Sequence, residues 1–297
     1  MKQEIFGLSL TELQIRLAEM GLKRFRAKQI FSWLYRKCVF DFSAMTNLSL
    51  AERDTLAEYF SILPGEIICL RQLDSADGLT QKLLLQLLDG NTIETVLMHH
   101  DYGYSVCVSS QVGCDMHCAF CASGLNGAVR NLTQTEILAQ VYFFNARLAA
   151  AGQRVSRVVV MGSGEPMLNF DNVFGALQFL HLPETANMSY RNMTVSTCGI
   201  IPGIERMQQL AAPINLAISL HAVQDELRTA LMPVNRGYPF PAVIAAAEDY
   251  ALHSGRQVTY EYILLDGKND REEDALLLAE FLRHKKASVN VIPVNPI

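Results

Sequence analysis

The first third of the chain has the apolar spacing of amphipathic helices. Ser9, followed three residues later by glutamate, forms a capping-box pattern ahead of an apolar-periodic run that stops at Gly21. A second helix is predicted over the segment "RAKQIFSWLYRKC". A third begins with the same capping pattern at Ser49 and extends to about Ile62. We therefore expect a helical domain over residues 1–62.

The pattern then changes to the alternation that is typical of strands. Three strand-like segments are separated by the turn signals "DSADG" and "DGN", namely "EIICLRQL", "LTQKLLLQLL" and "NTIETVLMHH". They predict a small β-meander over residues 63–103.

Strands and helices alternate from residue 104 to the end. Six strands are predicted, at "YSVCVSS", "RVVVMG", "NMTVST", "NLAISLH", "VTYEYILL" and "SVNVIP". Helical patterns separate them at 133–150, 171–180, 202–210, 241–252 and 271–284. The first of these begins with a capping-box pattern at Thr133 and Glu136. This order predicts an α/β fold with a parallel sheet over 104–297, as a partial (β/α)6 barrel or an open sheet. In either arrangement, sites gather at the carboxyl ends of the strands.

Composition narrows the class of protein. The 297 residues are 50% hydrophobic, enough for a large buried core, yet no apolar run reaches the roughly 18 residues that span a bilayer. The first residues lack the apolar core of a secretory signal. We expect a cytoplasmic monomer that does not associate with membranes.

The distribution of charge along the chain indicates one candidate surface for binding phosphates. The net charge is −5, which argues against a generally basic protein but leaves room for a local basic face. Six cations fall within "LKRFRAKQIFSWLYRK". Such a cluster can hold phosphates, and it can equally be a solvated helix face.

Three of the seven cysteines, Cys114, Cys118 and Cys121, form a Cys-x3-Cys-x2-Cys array. In a reduced compartment such a cluster indicates a metal or catalytic site. A structural zinc site normally has a fourth protein ligand, but Cys107 lies far upstream in a predicted strand and His117 is adjacent to Cys118. Three thiolates alone favour an iron–sulfur cluster with one free iron. Zinc and unliganded thiols are the alternatives.

The array, with an aromatic residue before its third cysteine, resembles the radical S-adenosylmethionine (SAM) superfamily. Seven motifs in order resemble the RlmN/Cfr family of RNA adenine methyltransferases, and the RlmN branch most: "CVSSQVGCDMHCAFCASG", "RNLTQTEI", "MGSGEPMLN", "STCGIIPGI", "LAISLHA", "LMPVNRGYP" and "IPVNP". The resemblance covers nearly the whole chain. It implies that the three cysteines hold one 4Fe–4S cluster, whose fourth iron binds SAM, and that a donor such as flavodoxin supplies the electron that splits SAM.

The resemblance also assigns the SAM contacts. Gly164 and Glu165 match the family's SAM-contacting pair, in which a carboxylate can accept hydrogen bonds from the SAM ammonium group. Further matching positions are Ser196, Ser219, Leu220, His221 and Asn295. Taken singly, each of these residues is typical of an ordinary turn or strand end.

Two more residues match the family's catalytic groups. Glu94 matches the proposed general base; carboxylates on strands usually face solvent, but a partly desolvated glutamate here would have its pKa raised. Cys107 matches a second catalytic cysteine, which resolves a covalent protein–RNA adduct by forming a disulfide. In the implied mechanism the adduct forms through a methylated cysteine near the carboxyl terminus, after a 5′-deoxyadenosyl radical has taken a hydrogen atom from its methyl group.

That methyl-carrying cysteine has no counterpart here, because no cysteine follows Cys198. We expect a shortened methyltransferase that does not methylate RNA until its downstream sequence is restored; a natural short form is the alternative. The implied activity is methylation of C2 of an adenine in 23S ribosomal RNA and in some transfer RNAs. The competing functions are Cfr-type methylation of C8, SAM cleavage without RNA methylation, and a non-catalytic iron–sulfur or zinc module.

Overall fold

The computed structural model describes residues 2–210 and 212–294. Ten α-helices lie within this part of the chain: α1 (Leu10–Glu19), α2 (Arg26–Phe31), α3 (Leu50–Tyr59), α4 (Leu63–Glu66), α5 (Gln134–Ala149), α6 (Phe170–His181), α7 (Ile201–Gln209), α8 (Asp225–Leu231), α9 (Phe240–Ser254) and α10 (Glu272–Phe281). A π-helical turn, Ser32–Arg36, continues α2.

Thirteen strands accompany these helices in the same part of the chain. They are β1 (Gln3–Glu4), β2 (Phe60–Ser61), β3 (Ile68–Asp74), β4 (Thr80–Gln86), β5 (Thr92–His100), β6 (Gly103–Cys107), β7 (Gln111–Gly113), β8 (Ala128–Asn131), β9 (Val155–Val160), β10 (Met193–Thr197), β11 (Asn215–Ser219), β12 (Val258–Leu264) and β13 (Ala287–Pro293). The six strands predicted from the alternating region correspond to β6 and β9–β13.

Local capping sets the start of three helices. The side chains of Ser9, Ser49 and Thr133 each accept a hydrogen bond from the backbone N–H three residues on. The glutamate side chain at that position accepts a hydrogen bond from the backbone N–H of the capping residue. Such reciprocal caps satisfy two amide donors that a helix start otherwise leaves free. The three predicted capping boxes are therefore confirmed.

The chain divides into two compact units that interleave along the sequence. The first contains residues 1–108, 132–158 and 171–189, and the second contains 109–131, 159–170 and 190–297. The domain boundaries predicted after residues 62 and 103 remain predictions. Within the described residues no helix is both long and apolar enough to cross a membrane.

In the first unit, an aromatic cluster joins the amino-terminal helices to α5 and α6. The Tyr35 ring lies 5.0 Å from Phe6, 5.3 Å from Tyr142 and 5.1 Å from Phe179, measured between centroids. The Tyr35 hydroxyl also accepts a hydrogen bond from Gly7 N at 2.7 Å. These buried rings supply much of the unit's apolar core.

The predicted meander is confirmed as β3–β5, each strand antiparallel to the next. The strand β6, predicted as the first strand of the parallel sheet, pairs antiparallel with β5 and so extends the meander. Leu83, Leu85 and Ile93 are buried. Arg147, near the end of α5, donates to the side chains of Gln72 and Gln81, both at 3.1 Å. Arg147 thus ties the end of α5 to the strands β3 and β4.

In the second unit, β10, β11, β12 and β13 pair in parallel in that order. Helices α7, α8, α9 and α10 lie along the chain between or after these strands, as expected for parallel crossovers. Two elements of this unit were not predicted: α8, and the antiparallel pair β7–β8 that flanks the cysteine loop.

Candidate active site

A cavity of about 280 Å³ lies in the second unit, at the carboxyl ends of β10 and β11. The predicted site residues that line it are Cys114, Cys118, Cys121, Gly164, Glu165, Ser196, Ser219 and His221. They come from four separate segments of the sequence. The fold therefore brings together nearly all the residues that were predicted to hold the cluster and SAM. Asn295 lies outside the described residues.

The cysteine loop connects β7 to β8 and is fixed by backbone hydrogen bonds. Cys114 N donates to Gly127 O at 3.2 Å, and Cys121 N donates to Cys118 O at 3.1 Å. Ala119 N donates to Leu231 O at 2.9 Å, which ties the loop to the end of α8. These bonds hold the thiols around one cavity before any cofactor binds.

The three thiols share a cavity but do not converge on a point. In the part of the chain described here, no three histidine, cysteine or carboxylate side chains could hold one metal ion. A cluster in which each thiolate binds a different iron needs no such convergence. Three thiolates on one short loop are a donor set that fits a 4Fe–4S cluster with one open iron.

Burial controls the protonation of two of these thiols, Cys118 and Cys114. It raises the pKa of Cys118 to about 12, with smaller contributions from the nearby Cys121, Cys114 and Glu165. The pKa of Cys114 is raised chiefly by burial as well. Because a bound metal centre stabilises the thiolate, loading of this site releases protons.

Gly164 and Glu165 follow β9. Gly164 has φ +103°, and a Cβ atom there would lie 2.6 Å from the Gln111 Cβ atom, so the position requires glycine. Glu165 N donates to Gln111 Oε1 at 2.8 Å. The Glu165 carboxylate accepts from Met167 N at 3.0 Å and from Cys198 N at 2.8 Å. These bonds fix the carboxylate at the cavity wall.

Glu165 is 3% exposed. Its burial raises its pKa, and the hydrogen bonds from Cys198 and Met167 act in the opposite direction. A cation close to the carboxylate would favour its ionised form. Glu165 is therefore suited to binding an ammonium group.

His221 has one defined tautomer. Its Nδ1 accepts from Ile263 N at 3.0 Å, so a neutral ring carries its proton on Nε2. The ring also packs edge-on against Phe120, with centroids 4.6 Å apart. Burial, aided by the charge of Arg228, lowers the pKa of His221 to about 3. His221 is thus a neutral donor at working pH.

Leu220 differs from its neighbours in the predicted SAM segment. Its side chain is fully buried and does not line the cavity. Its backbone N–H donates to Glu261 O at 3.0 Å, and its carbonyl accepts from Arg228 Nε at 3.1 Å. The structure therefore places Leu220 as a packing residue behind the cavity wall.

Two charged residues in or directly behind the cavity wall were not predicted from the sequence. Glu261, on β12, lines the cavity at 8% exposure and accepts a hydrogen bond from Asn290 Nδ2 at 2.7 Å. Its burial raises its pKa. The sequence feature that could have identified Glu261 is its position as the lone carboxylate in the apolar segment "VTYEYILL". Arg228, on α8, is completely buried, and nothing in its local sequence indicates this.

Glu94 and Cys107 lie on the meander of the first unit. Val96 is the cross-strand partner of Cys107, so Glu94, two residues before Val96, lies on the same face and diagonal to the thiol. The Glu94 side chain is 52% exposed and pairs with Lys82 at 3.0 Å. The Glu94 side chain is therefore largely open to solvent, and its role as a general base stays a prediction.

The arrangement of three thiols and a buried carboxylate at the ends of parallel strands defines the class. The radical SAM superfamily matches residues 108–279, and the chain belongs to that superfamily. The ribosomal RNA large subunit methyltransferase N-terminal domain matches residues 3–62.

Similar proteins narrow the class to one family. A probable dual-specificity RNA methyltransferase RlmN of Symbiobacterium thermophilum is 48% identical over 298 residues, covering 100% of this chain and 79% of the relative. The Spiroplasma citri protein of the same name is 46% identical, covering 99% and 84%. The chain therefore belongs to the RlmN family.

A solved structure supports the fold assignment. A radical SAM methyltransferase from Sphaerobacter thermophilus superposes with a TM-score of 0.94 at 43% identity. The match covers 99% of this chain and 86% of that protein. The predicted radical SAM fold, with its amino-terminal domain and β extension, is confirmed.

Proposed function

We propose that this chain is a radical SAM methyltransferase that modifies C2 of an adenine in 23S ribosomal RNA and in some transfer RNAs. The observation that carries the proposal is the cavity in which the three thiols of the cysteine array meet the buried Glu165. Membership of the RlmN family supports RNA as the substrate.

The cavity residues have separate tasks in this proposal. Cys114, Cys118 and Cys121 hold one 4Fe–4S cluster, which supplies the electron for the reductive cleavage of SAM when it is bound. Glu165 accepts hydrogen bonds from the SAM ammonium group, for which its fixed position prepares it. The Nε2–H of His221 is a further donor.

Cys107 and Glu94 act on the substrate side. Their common face on the meander supports a shared task, since diagonal neighbours on one face can contact the same ligand. Glu94 serves as the general base that takes the proton from the adenine carbon. Cys107 serves as the thiol that resolves the protein–RNA adduct. Glu94 must first exchange its ion pair with Lys82 for the substrate.

RNA docks on the basic part of the first unit. A cavity of about 490 Å³ is lined by Arg36, Lys37 and Arg154, and the residues described around it include no carboxylate. The helix ends at Arg36 and Ala149 contribute about half a negative charge each, less than the three cations. A phosphate group is the anion that RNA offers to such a cleft.

Anaerobic reconstitution with iron and sulfide tests the enzymatic proposal. We expect a brown protein that forms 5′-deoxyadenosine from SAM with dithionite, while Cys118→Ala forms none. With RNA present, and with the methyl-carrying cysteine that the family resemblance implies supplied downstream, digestion to nucleosides and mass spectrometry separate 2-methyladenosine from 8-methyladenosine. A colourless protein that retains only zinc would overturn the proposal, and 8-methyladenosine would favour the Cfr-type alternative.

Salt-dependent binding tests the RNA cleft. Arg154→Glu should weaken binding of a fluorescent RNA hairpin and reduce the slope of log K against log salt by about 1. Arg283→Glu makes the same charge change at an exposed position of the second unit and is the control. Equal effects of the two substitutions would show that only net charge matters.

A further inference from the structure

Arg228 is the largest side chain with essentially no exposed surface in the described chain. Its guanidinium group donates to Leu220 O at 3.1 Å, Cys198 O at 2.8 Å and Ser219 O at 3.2 Å. It also donates to Asn235 Oδ1 at 2.7 Å. One side chain thus joins the ends of β10 and β11 to the loop that follows α8.

All four acceptors are uncharged. Within the described residues Arg228 forms no ion pair with a carboxylate, although removing a guanidinium group from water is costly without one. The nearest compensation is indirect: Asn235 Nδ2 donates to the exposed Asp225 at 2.9 Å. A buried positive charge is therefore kept with only partial local compensation.

The partly compensated charge lies directly behind the wall of the proposed cofactor site. The carbonyls of Cys198 and Ser219 hold the guanidinium group, and both residues line the cavity with the three thiols. Arg228 is therefore hydrogen-bonded directly to two residues of the cavity wall, of which Ser219 is a proposed SAM contact.

A positive charge near the cavity is favourable once the cluster is bound. Three thiolates, together with Glu165 and Glu261 in its wall, make it rich in negative charge. One-electron reduction of a cluster adds another negative charge, and nearby net charge sets the potential at which this happens. A fixed cation favours the reduced state.

We propose that Arg228 is a positioning residue that holds the SAM-contacting ends of β10 and β11 and whose charge raises the reduction potential of the cluster. This inference rests on the proposed function. It assigns two separable effects to one side chain: the hydrogen bonds fix geometry, and the charge adjusts the potential.

Redox titration of the reconstituted protein, followed by electron paramagnetic resonance, separates the two effects. Arg228→Gln removes the charge and should shift the midpoint potential to a more negative value. Arg228→Lys keeps the charge, so the potential should stay near that of the wild type. SAM affinity, measured by equilibrium dialysis, should fall at least about tenfold in both variants, because neither glutamine nor lysine reproduces the planar set of donors of a guanidinium group.

Asp225→Asn provides a test that does not disturb the core. Asp225 is exposed, and an asparagine can still accept the hydrogen bond from Asn235. Removing its negative charge leaves Arg228 less compensated, so the potential should shift to a less negative value.

The iron content of the wild-type protein distinguishes failure of this inference from failure of the proposed function. A wild-type protein without an iron–sulfur spectrum would refute the function itself. A normal cluster whose potential is the same in the wild type, Arg228→Gln and Asp225→Asn would refute only the role of the Arg228 charge.

Discussion

Substitution of Gly164 by alanine tests how the backbone after β9 shapes the SAM site. The residue has φ +103°, a conformation that costs an alanine about 1–2 kcal/mol. The new Cβ atom would also lie 2.6 Å and 2.7 Å from the Cβ and Cγ atoms of Gln111. Overpacking of this kind adds about 1–3 kcal/mol. We expect a total loss of about 2–5 kcal/mol in the free energy of unfolding.

The crowding has a second effect, on SAM binding. Gln111 Oε1 accepts the hydrogen bond from Glu165 N at 2.8 Å, so a displaced Gln111 releases the residue that is proposed to bind the SAM ammonium group. Loss of one hydrogen bond to a charged group amounts to about 1.5–3 kcal/mol, so SAM affinity should fall at least about tenfold.

Gly255→Ala is the matched control. Gly255 ends α9 with φ +68°, and a Cβ atom there meets nothing within 4 Å. Its substitution has the conformational cost without the crowding. Urea unfolding of the apoprotein and equilibrium dialysis of SAM with the reconstituted protein provide the two measurements. The reasoning is refuted if both variants lose the same stability and Gly164→Ala binds SAM normally.

Three further outcomes are expected. The folded-state pKa of His221, about 3, lies below its ordinary value of 6.5. Acidification below pH 6.5 should therefore cost up to about 1.4 kcal/mol per pH unit, and urea titrations of His221→Gln should show a shallower dependence. Glu4 gives the opposite pH dependence of stability, because burial raises its pKa from 4.5 to about 7. Stability is therefore lost as the pH rises through that range, and Glu4→Gln should be more stable than the wild type at pH 8 in the same urea titrations. Cys118→Ala should lose most of its iron on reconstitution while Cys69→Ala retains it; equal iron content in the two would contradict the ligand assignment.

The features that could be predicted from the sequence are those set by local interactions. The capping boxes at Ser9, Ser49 and Thr133 depend on residues three positions apart, and all three are present. The alternation of strands and helices likewise follows from periodicity. The cysteine spacing pointed to the cofactor class because the thiols lie on one short loop.

The features that were missed depend on distant parts of the chain. The segment "DELRTAL" has the charge pattern of an exposed helix, and only the tertiary fold places Arg228 among the carbonyls that end β10 and β11. The environment of Glu94 is set by Lys82 on the neighbouring strand. Neither partner can be read from the residues that flank the side chain.

The pairing of β5 with β6 has a consequence for variation in chain length. Side chains alternate between the two faces of a strand, so one inserted residue between Glu94 and Val96, or between Ser105 and Cys107, would move one proposed catalytic group to the opposite face. The short connection from His100 to Gly103 fixes this register. Insertions and deletions here should consequently be rarer among functional homologues than in the turn at 75–79, where a change of length leaves both groups in place.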